Sequence, residues 1–148
     1  MSTKQLQLKI VTPERLILEE MVDGVTLPTT EGEITILPNH ISLIAILASG
    51  DLVAIKNGEH IPMAVVGGFI EVKIVNGQTE VAVLADFAEH VADITDEAIA
   101  HAKAKAEELR KQMENKEHVD FEHFEAELER SLNRVKIADK WRNKKYRK

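Results

Sequence analysis

The stretch VAVLADFAEHVADITDEAIAHAKAKAEE, residues 81–108, decides the fold because the spacing of its apolar residues changes partway through. Up to Asp86 apolar and other residues alternate with period two, the signature of a strand with one face in a core. Beyond it, apolar positions recur at Ile94, Ala98, Ala102, Ala106, Leu109 and Met113, three and four apart, which defines one face of a helix. The chain therefore reads as a β part followed by an α part, an α+β protein divided at about residues 87 and 88.

Upstream, QLQLKIVT (5–12) alternates in the same way, and comparable short runs follow one another between turn signals. Strands are expected near 4–11, 15–20, 22–28, 33–37, 41–47, 51–56, 60–66, 68–75 and 79–84. Asp23-Gly24, Glu31-Gly32, Ser49-Gly50, Asn57-Gly58 and Asn76-Gly77 supply the turn chemistry between them. No run of helical period separates these strands, whereas parallel neighbours need crossovers of a dozen or more residues. The expectation is thus an antiparallel sandwich or barrel. Gly67-Gly68, between two strand runs, reads as a bulge or turn.

Downstream, the first helix presents a mostly alanine face, which favours helix formation but contributes little buried area. Asp93 or Thr95 is placed to cap its start. After a polar connection at Glu114 to Glu117, the stripe resumes in Phe121, Phe124, Leu128, Leu132, Val135 and Ala138, so the simplest arrangement is an antiparallel two-helix hairpin over 88–148. Weak packing and like charges at its end imply that it can leave its resting place at low cost.

The charge distribution separates the two parts. The net charge is -6, yet residues 1–90 carry -7 and residues 91–148 carry +1. From Arg130 to Lys148 there are nine basic residues against the single acid Asp139. Such a tail suits an acidic surface, through attraction that salt weakens, and equally reads as a solvated terminus.

Composition and motifs exclude several classes of function. Six aromatic residues in 148 mean an aliphatic core, and the lack of cysteine excludes disulfides and thiolate metal sites. MSTKQLQLKIV is not a signal peptide, and the longest uncharged run, 34–50, is broken at Pro38-Asn39-His40, too short and interrupted for a membrane-spanning helix. No GxxxxGK[ST], HExxH or GxSxG occurs, and His118 and His123, five apart, fall on different helical faces. No metal or cofactor is expected. Nucleic acid is disfavoured too, because the basic tail offers only Trp141 and Tyr146 for stacking and the acidic domain repels phosphates. EGEITILPNH (31–40) stays open as a histidine site, a plain turn or a docking surface; Pro38 makes the corner stiff in any of the three.

Along nearly the whole chain, the order of EGEITILPNH, ISLIAILASGDLVAI (41–55), VVGGFIEV (65–72), VAVLADFAEHVADI (81–94) and AHAKAKAEE (100–108) resembles the epsilon subunit of the bacterial and chloroplast F-type ATP synthase. The resemblance implies a ten-stranded β sandwich with two C-terminal helices, a non-catalytic rotor subunit bound to the gamma subunit and the membrane ring of c subunits. It implies a peripheral position on the cytoplasmic side of the cell membrane, reached indirectly through that ring. The loop matching 31–40 would face the polar loops of the c ring, which makes Glu31, Pro38, Asn39 and His40 contact candidates, with His40 as a polar contact or a turn-stabilising side chain.

The resemblance also implies that the hairpin, when extended, reaches the alpha/beta catalytic subunits and inhibits ATP hydrolysis. Arg130, Arg134, Lys136, Lys140 and Arg142 would then meet an acidic segment of the beta subunit. Some members bind ATP on this hairpin through Ile or Leu, Asp, two residues, Arg and Ala. Here Ile94-Thr95-Asp96-Glu97-Ala98-Ile99 lacks the arginine in either register, so Glu89 and Asp96 are weak ATP-binding candidates and little or no ATP binding is expected. The alternative outside this family is an independent β-domain adaptor whose hairpin binds an acidic protein.

Overall fold

A computed structural model describes residues 4–114 and 121–146, the side chains of 113, 121–124 and 142–146 excepted. The chain divides into two compact units, Met1–His90 and Val91–Lys148.

The first unit holds eight strands: β1 (Leu6–Val11), β2 (Leu16–Val22), β3 (Gly24–Thr29), β4 (Gly32–Ile36), β5 (Leu43–Ile46), β6 (Gly50–Lys56), β7 (Glu59–Val75) and β8 (Gln78–His90). They run in the order β2-β1-β8-β7-β6-β3-β4, with β5 also paired to β7. All neighbours are antiparallel except β1 and β8, which are parallel.

Two of the expected strands, 60–66 and 68–75, are one long strand, and the strand expected to end at 84 continues to His90. The path folds into a sandwich because these two strands serve both layers. The first half of β7 pairs with β6, and its second half with β5. The first half of β8 pairs with β1, while both halves pair with β7. Counting each half separately gives ten segments, five per layer, which reconciles eight strands with the ten-stranded expectation.

The bend lies at Gly67-Gly68. No residue is inserted there, since Val66 pairs with Phe87 and Gly68 with Ala85 in unbroken register. The expected bulge or turn is instead a hinge in a continuous ladder, made by positive φ at both residues, 60° and 111°. The second value belongs to a region essentially closed to side chains. A Cβ on Gly68 would also overlap the carbonyl of Leu84 across the ladder.

The hairpin turns follow their sequence signals. Asn57 and Gly58 have φ of 52° and 80°, and Asn76 and Gly77 have 50° and 78°. Each pair joins directly opposed residues, Lys56 to Glu59 and Val75 to Gln78, as type I′ turns require. Inside the sandwich, alternate residues such as Leu6, Leu8, Ile10, Leu27, Leu52 and Ile70 are fully buried, and the core cluster contains no aromatic side chain. Each of these large aliphatic side chains contributes about 2 kcal/mol of apolar burial.

The second unit begins with a short 3-10 turn (Val91–Asp93), followed by α1 (Asp96–Glu114) and α2 (Phe121–Tyr146). Thr95, rather than Asp93, caps α1. Its hydroxyl accepts the Ala98 N–H at 3.0 Å and its carbonyl receives Ile99 at 3.0 Å. The two helices are linked by Lys105 to Glu127 at 3.2 Å, a half-exposed ion pair that contributes about 0.5 kcal/mol.

On α1, Ala102, Ala106 and Leu109 are buried as expected, joined by Ile99. On α2 Ala138 is buried as expected, but the rest of the stripe is displaced: Leu132 is 42% exposed while Ser131, Asn133 and Ile137 are buried. Apolarity alone placed Leu132 inside, but the buried face is centred about a third of a turn away, on positions that include small polar side chains. The expected stripe members Met113, Phe121 and Phe124 lie outside the described side chains.

Candidate functional site

The corner after β4 is a tight turn. His40 N–H donates to the Leu37 carbonyl at 3.1 Å, spanning a four-residue turn with Pro38 second and Asn39 third. Proline pre-sets the second position, and Asn39 takes φ of 73° at the third, the arrangement of a type II turn. Asn39 is tied on both sides. Its N–H donates to Thr79 Oγ1 at 2.7 Å, and its Oδ1 accepts Lys4 Nζ at 2.9 Å. His40 Nδ1–H donates to the Ile41 carbonyl at 2.8 Å. The ring thus supports the turn, and among the described residues no group of histidine and carboxylate side chains could hold a metal ion.

Glu31 is elsewhere. It occupies the exposed turn between β3 and β4, where its N–H donates to Thr29 Oγ1 at 3.2 Å and Thr29 in turn donates to the Gly32 carbonyl. β4 separates the two turns, and its five residues span ~17 Å. The structure therefore does not bring Glu31 together with Pro38, Asn39 and His40; they lie at opposite ends of the sandwich. The strand expected at 33–37 is present as β4 and separates them; the resemblance alone groups the four residues.

Between these ends lies a surface that alternation did not reveal. Ile46 pairs with Phe69, Phe69 with Leu84, Leu84 with Val11 and Val11 with Leu16. This forms one apolar row across five strands on the outer face of the sheet. Ile46 is 62% exposed and Phe69 50%. Two residues along, the parallel row reads Ile44, Glu71, Ala82, Lys9 and Glu19, so a charged rim borders it. Ile44, 76% exposed, extends the apolar surface along β5, and exposed Ile41 stands three residues before it toward the Pro38 corner, whereas exposed Leu37 lies over Gly24 of β3, in the other layer. At the other end, Thr30 N–H donates to the Ile46 carbonyl at 3.1 Å, so the Glu31 turn adjoins the row. The available signal was that ISLIAIL and VAVLA are apolar at successive positions, as a strand covered on both faces would be.

The basic candidates of α2 do not form one patch. Arg130 and Arg134 are one turn apart on the side shared with buried Ile137 and Ala138, whereas Lys136 and Lys140 lie about 120° around the helix. Arg130, Lys136 and Lys140 are exposed, and Arg134 is half-buried. Lys140 Nζ lies over the Trp141 ring at 5.9 Å. The side chain of Arg142 falls outside the described ones.

At the start of α1, Asp96 and Glu97 are exposed carboxylates in the first turn, Ala98 follows, and Ile99 is buried. Glu89 sits half-buried in β8. No basic residue stands in the Ile94–Ile99 segment to meet a phosphate.

Comparison with known proteins matches residues 5–91 to the ATP synthase delta/epsilon chain β-sandwich domain. The ATP synthase epsilon chain of Herpetosiphon aurantiacus is 37% identical over 139 residues, covering 94% of this chain and 98% of that one. The chain belongs to the ATP synthase epsilon family. A second epsilon chain, from Nitratidesulfovibrio vulgaris, is 41% identical over 134 residues, covering 90% of this chain and 96% of that one. Among solved structures, a chain of the Euglena gracilis mitochondrial ATP synthase, described as OSCP/F1/c-ring in rotational state 1, is similar with a TM-score of 0.65. It is 28% identical, and the likeness covers 84% of this chain and 76% of that one. The epsilon-family sandwich and its two helices are thus both present here, and no described helix is long and apolar enough to cross a membrane.

Proposed function

We propose that this chain is a non-catalytic rotor subunit of a proton-translocating ATP synthase, docking on the gamma subunit and the c ring and restraining ATP hydrolysis through its helical hairpin. The observation that carries the docking is the apolar row from Leu16 to Ile46 with its charged rim. Soluble proteins rarely leave so continuous an apolar surface uncovered, and a polar border is the usual anatomy of a protein interface. Family membership makes gamma the partner that fits it, and the Euglena relative's complex includes F1 and a c-ring.

The two ends of β4 then take different partners. Glu31, in a polar turn with Thr30 and Glu33 beside it, suits the polar loops of the c ring. Pro38, Asn39 and His40 lead through exposed Ile41 into β5 and the apolar face, and suit gamma. This assigns to gamma three residues that sequence reading had grouped with the c ring. The chain is held at the cytoplasmic side of the membrane through the ring.

The hairpin reading rests on charge. Arg130, Arg134, Lys136 and Lys140 face more than one side of α2, and Arg142 adds a further positive charge, so an extended helix could be gripped between partners, with an acidic segment of the beta subunit meeting the exposed lysines. Truncating the chain after Glu129 is expected to raise the ATPase activity of the assembled complex several-fold while leaving its assembly intact, measured by coupled assay. Unchanged hydrolysis would sink the inhibitory role. Titration calorimetry of the full chain is expected to show no ATP binding in the micromolar range, because Asp96 and Glu97 present negative charge where the phosphates would need a cation. A micromolar isotherm would refute this.

A further inference from the structure

We infer that Thr79, a buried residue of β8, is the positioning residue of the Leu37–Ile41 docking corner, acting through the Asn39 backbone. The inference rests on the reading of that corner as part of the gamma-facing surface.

Thr79 is distant in sequence and does not itself face solvent, being 2% exposed. Its hydroxyl oxygen accepts the Asn39 N–H at 2.7 Å, 40 residues away. That amide belongs to the one residue of the corner with positive φ, 73°. A left-handed residue other than glycine is held only when its surroundings specify it. Pro38 accepts type I and type II turns alike at the second position, so proline alone does not choose between them. The choice depends on where the Asn39 N–H points, and the Thr79 hydroxyl draws it inward toward β8. Exchanging one turn type for the other reverses the central peptide but leaves the path of the flanking residues nearly unchanged, so what the hydroxyl fixes is the attachment of the corner to β8. Without it the corner is free to come away from the sheet, and exposed Ile41, which leads into Ile44 and Ile46 of β5, moves with it.

Lys4 grips the same residue from outside through Asn39 Oδ1, but that bond is exposed and closes on a mobile, strongly hydrated ammonium group. The buried hydroxyl is the stiffer tie. Its environment is also well defined, because the neighbouring Gln78 side chain donates to the Gln5 carbonyl at 2.9 Å and to the Thr79 carbonyl at 3.2 Å. β8, the corner and the start of β1 are thereby joined at one end of the sandwich. A hydroxyl is required here for its acceptor and not for bulk, so valine, of the same shape, removes the function while keeping the packing.

The test uses the full chain and the isolated gamma subunit of the same enzyme. Thr79→Val is expected to weaken binding roughly 3- to 10-fold, the loss of one hydrogen bond's worth of preorganisation. It should also speed hydrogen exchange of the Asn39 amide relative to amides in β7 and β8. Thr79→Ser, which retains the oxygen, is expected to restore both. A merely structural role in the core would follow the lost methyl group and would make the serine variant the worse of the two. Wild-type gamma binding by Thr79→Val with the Asn39 amide still protected overturns the inference. So does a serine variant that binds weakly while its Asn39 amide stays protected, which remains decisive if the valine variant fails to fold. Ile46→Asp is measured in parallel. If it too binds gamma normally, the docking face itself is misassigned, and Thr79 is then judged on Asn39 exchange alone: rapid exchange in the valine variant upholds its positioning role, and unchanged exchange ends it.

Discussion

Gly68→Ala is expected to lower the thermal midpoint of the β unit by roughly 15 °C, read by circular dichroism of the full chain. The estimate combines two costs. A φ of 111° lies where an L side chain is strained by about 1–3 kcal/mol. In addition, the new Cβ meets the backbone carbonyl of Leu84, which is held in the β7-β8 ladder and cannot swing aside. Relief requires the ladder to open where both layers share it, so a total of about 3 kcal/mol is a reasonable floor. For a domain of this size each kcal/mol corresponds to about 4–8 °C. Gly77→Ala is the control: φ is 78°, nothing lies within 4 Å of the added carbon, and a loss of about 1 kcal/mol is expected from backbone handedness alone. Equal effects at the two glycines would show that the bend is not a close backbone crossing.

The second large effect concerns binding. Ile46→Asp is expected to weaken association with gamma by about two orders of magnitude and to change the thermal midpoint by only a few degrees. Ile46 is 62% exposed, so little folding energy is lost with it. In a complex the same side chain would lie at the β5 end of the apolar row, where the row meets Ile44, and a carboxylate covered there must be desolvated without a partner. A penalty of about 3 kcal/mol follows for an uncompensated charge buried in an interface, equivalent to a factor of roughly 100 in Kd. Glu59→Lys, at the exposed β6-β7 turn, is expected to bind gamma like the parent chain. The docking surface would have to be sought elsewhere if surface plasmon resonance ranked these two variants equally.

How much of this was legible beforehand differs between elements for physical reasons. Asn57-Gly58 and Asn76-Gly77 announce their turns because a type I′ hairpin needs two adjacent residues of positive φ, and few dipeptides provide them. The period change near Asp86 announces the two architectures because helix and strand periodicities are incompatible. Thr95 and Asp93 were equally good caps on composition, and only the path of the chain into α1 chose Thr95. Leu132 was assigned to the helix core for its chemistry, whereas burial depends on which face meets a neighbour, and that favoured Ser131 and Asn133.

The candidate site shows the same division. Pro38 and Asn39 foretell a stiff turn locally, and the structure adds the Thr79 hydroxyl that selects its hand. The family resemblance groups Glu31 and His40 although the strand legible at 33–37 already separates them, and β4 sets them at its two ends. The apolar row could not be seen at all from one segment, since its members come from β5, β7, β8, β1 and β2 and meet only through strand register. By itself the sequence determined the α+β order, the aliphatic core, the hairpin turns and the basic end of α2, all of which depend on local periodicity, backbone preference or charge. Only the tertiary structure decided that β7 and β8 bend at Gly67-Gly68 to serve two layers, that the 31–40 segment faces two ways, and that five strands join in one apolar surface. Each of these follows from pairings between residues far apart along the chain, which no local property encodes.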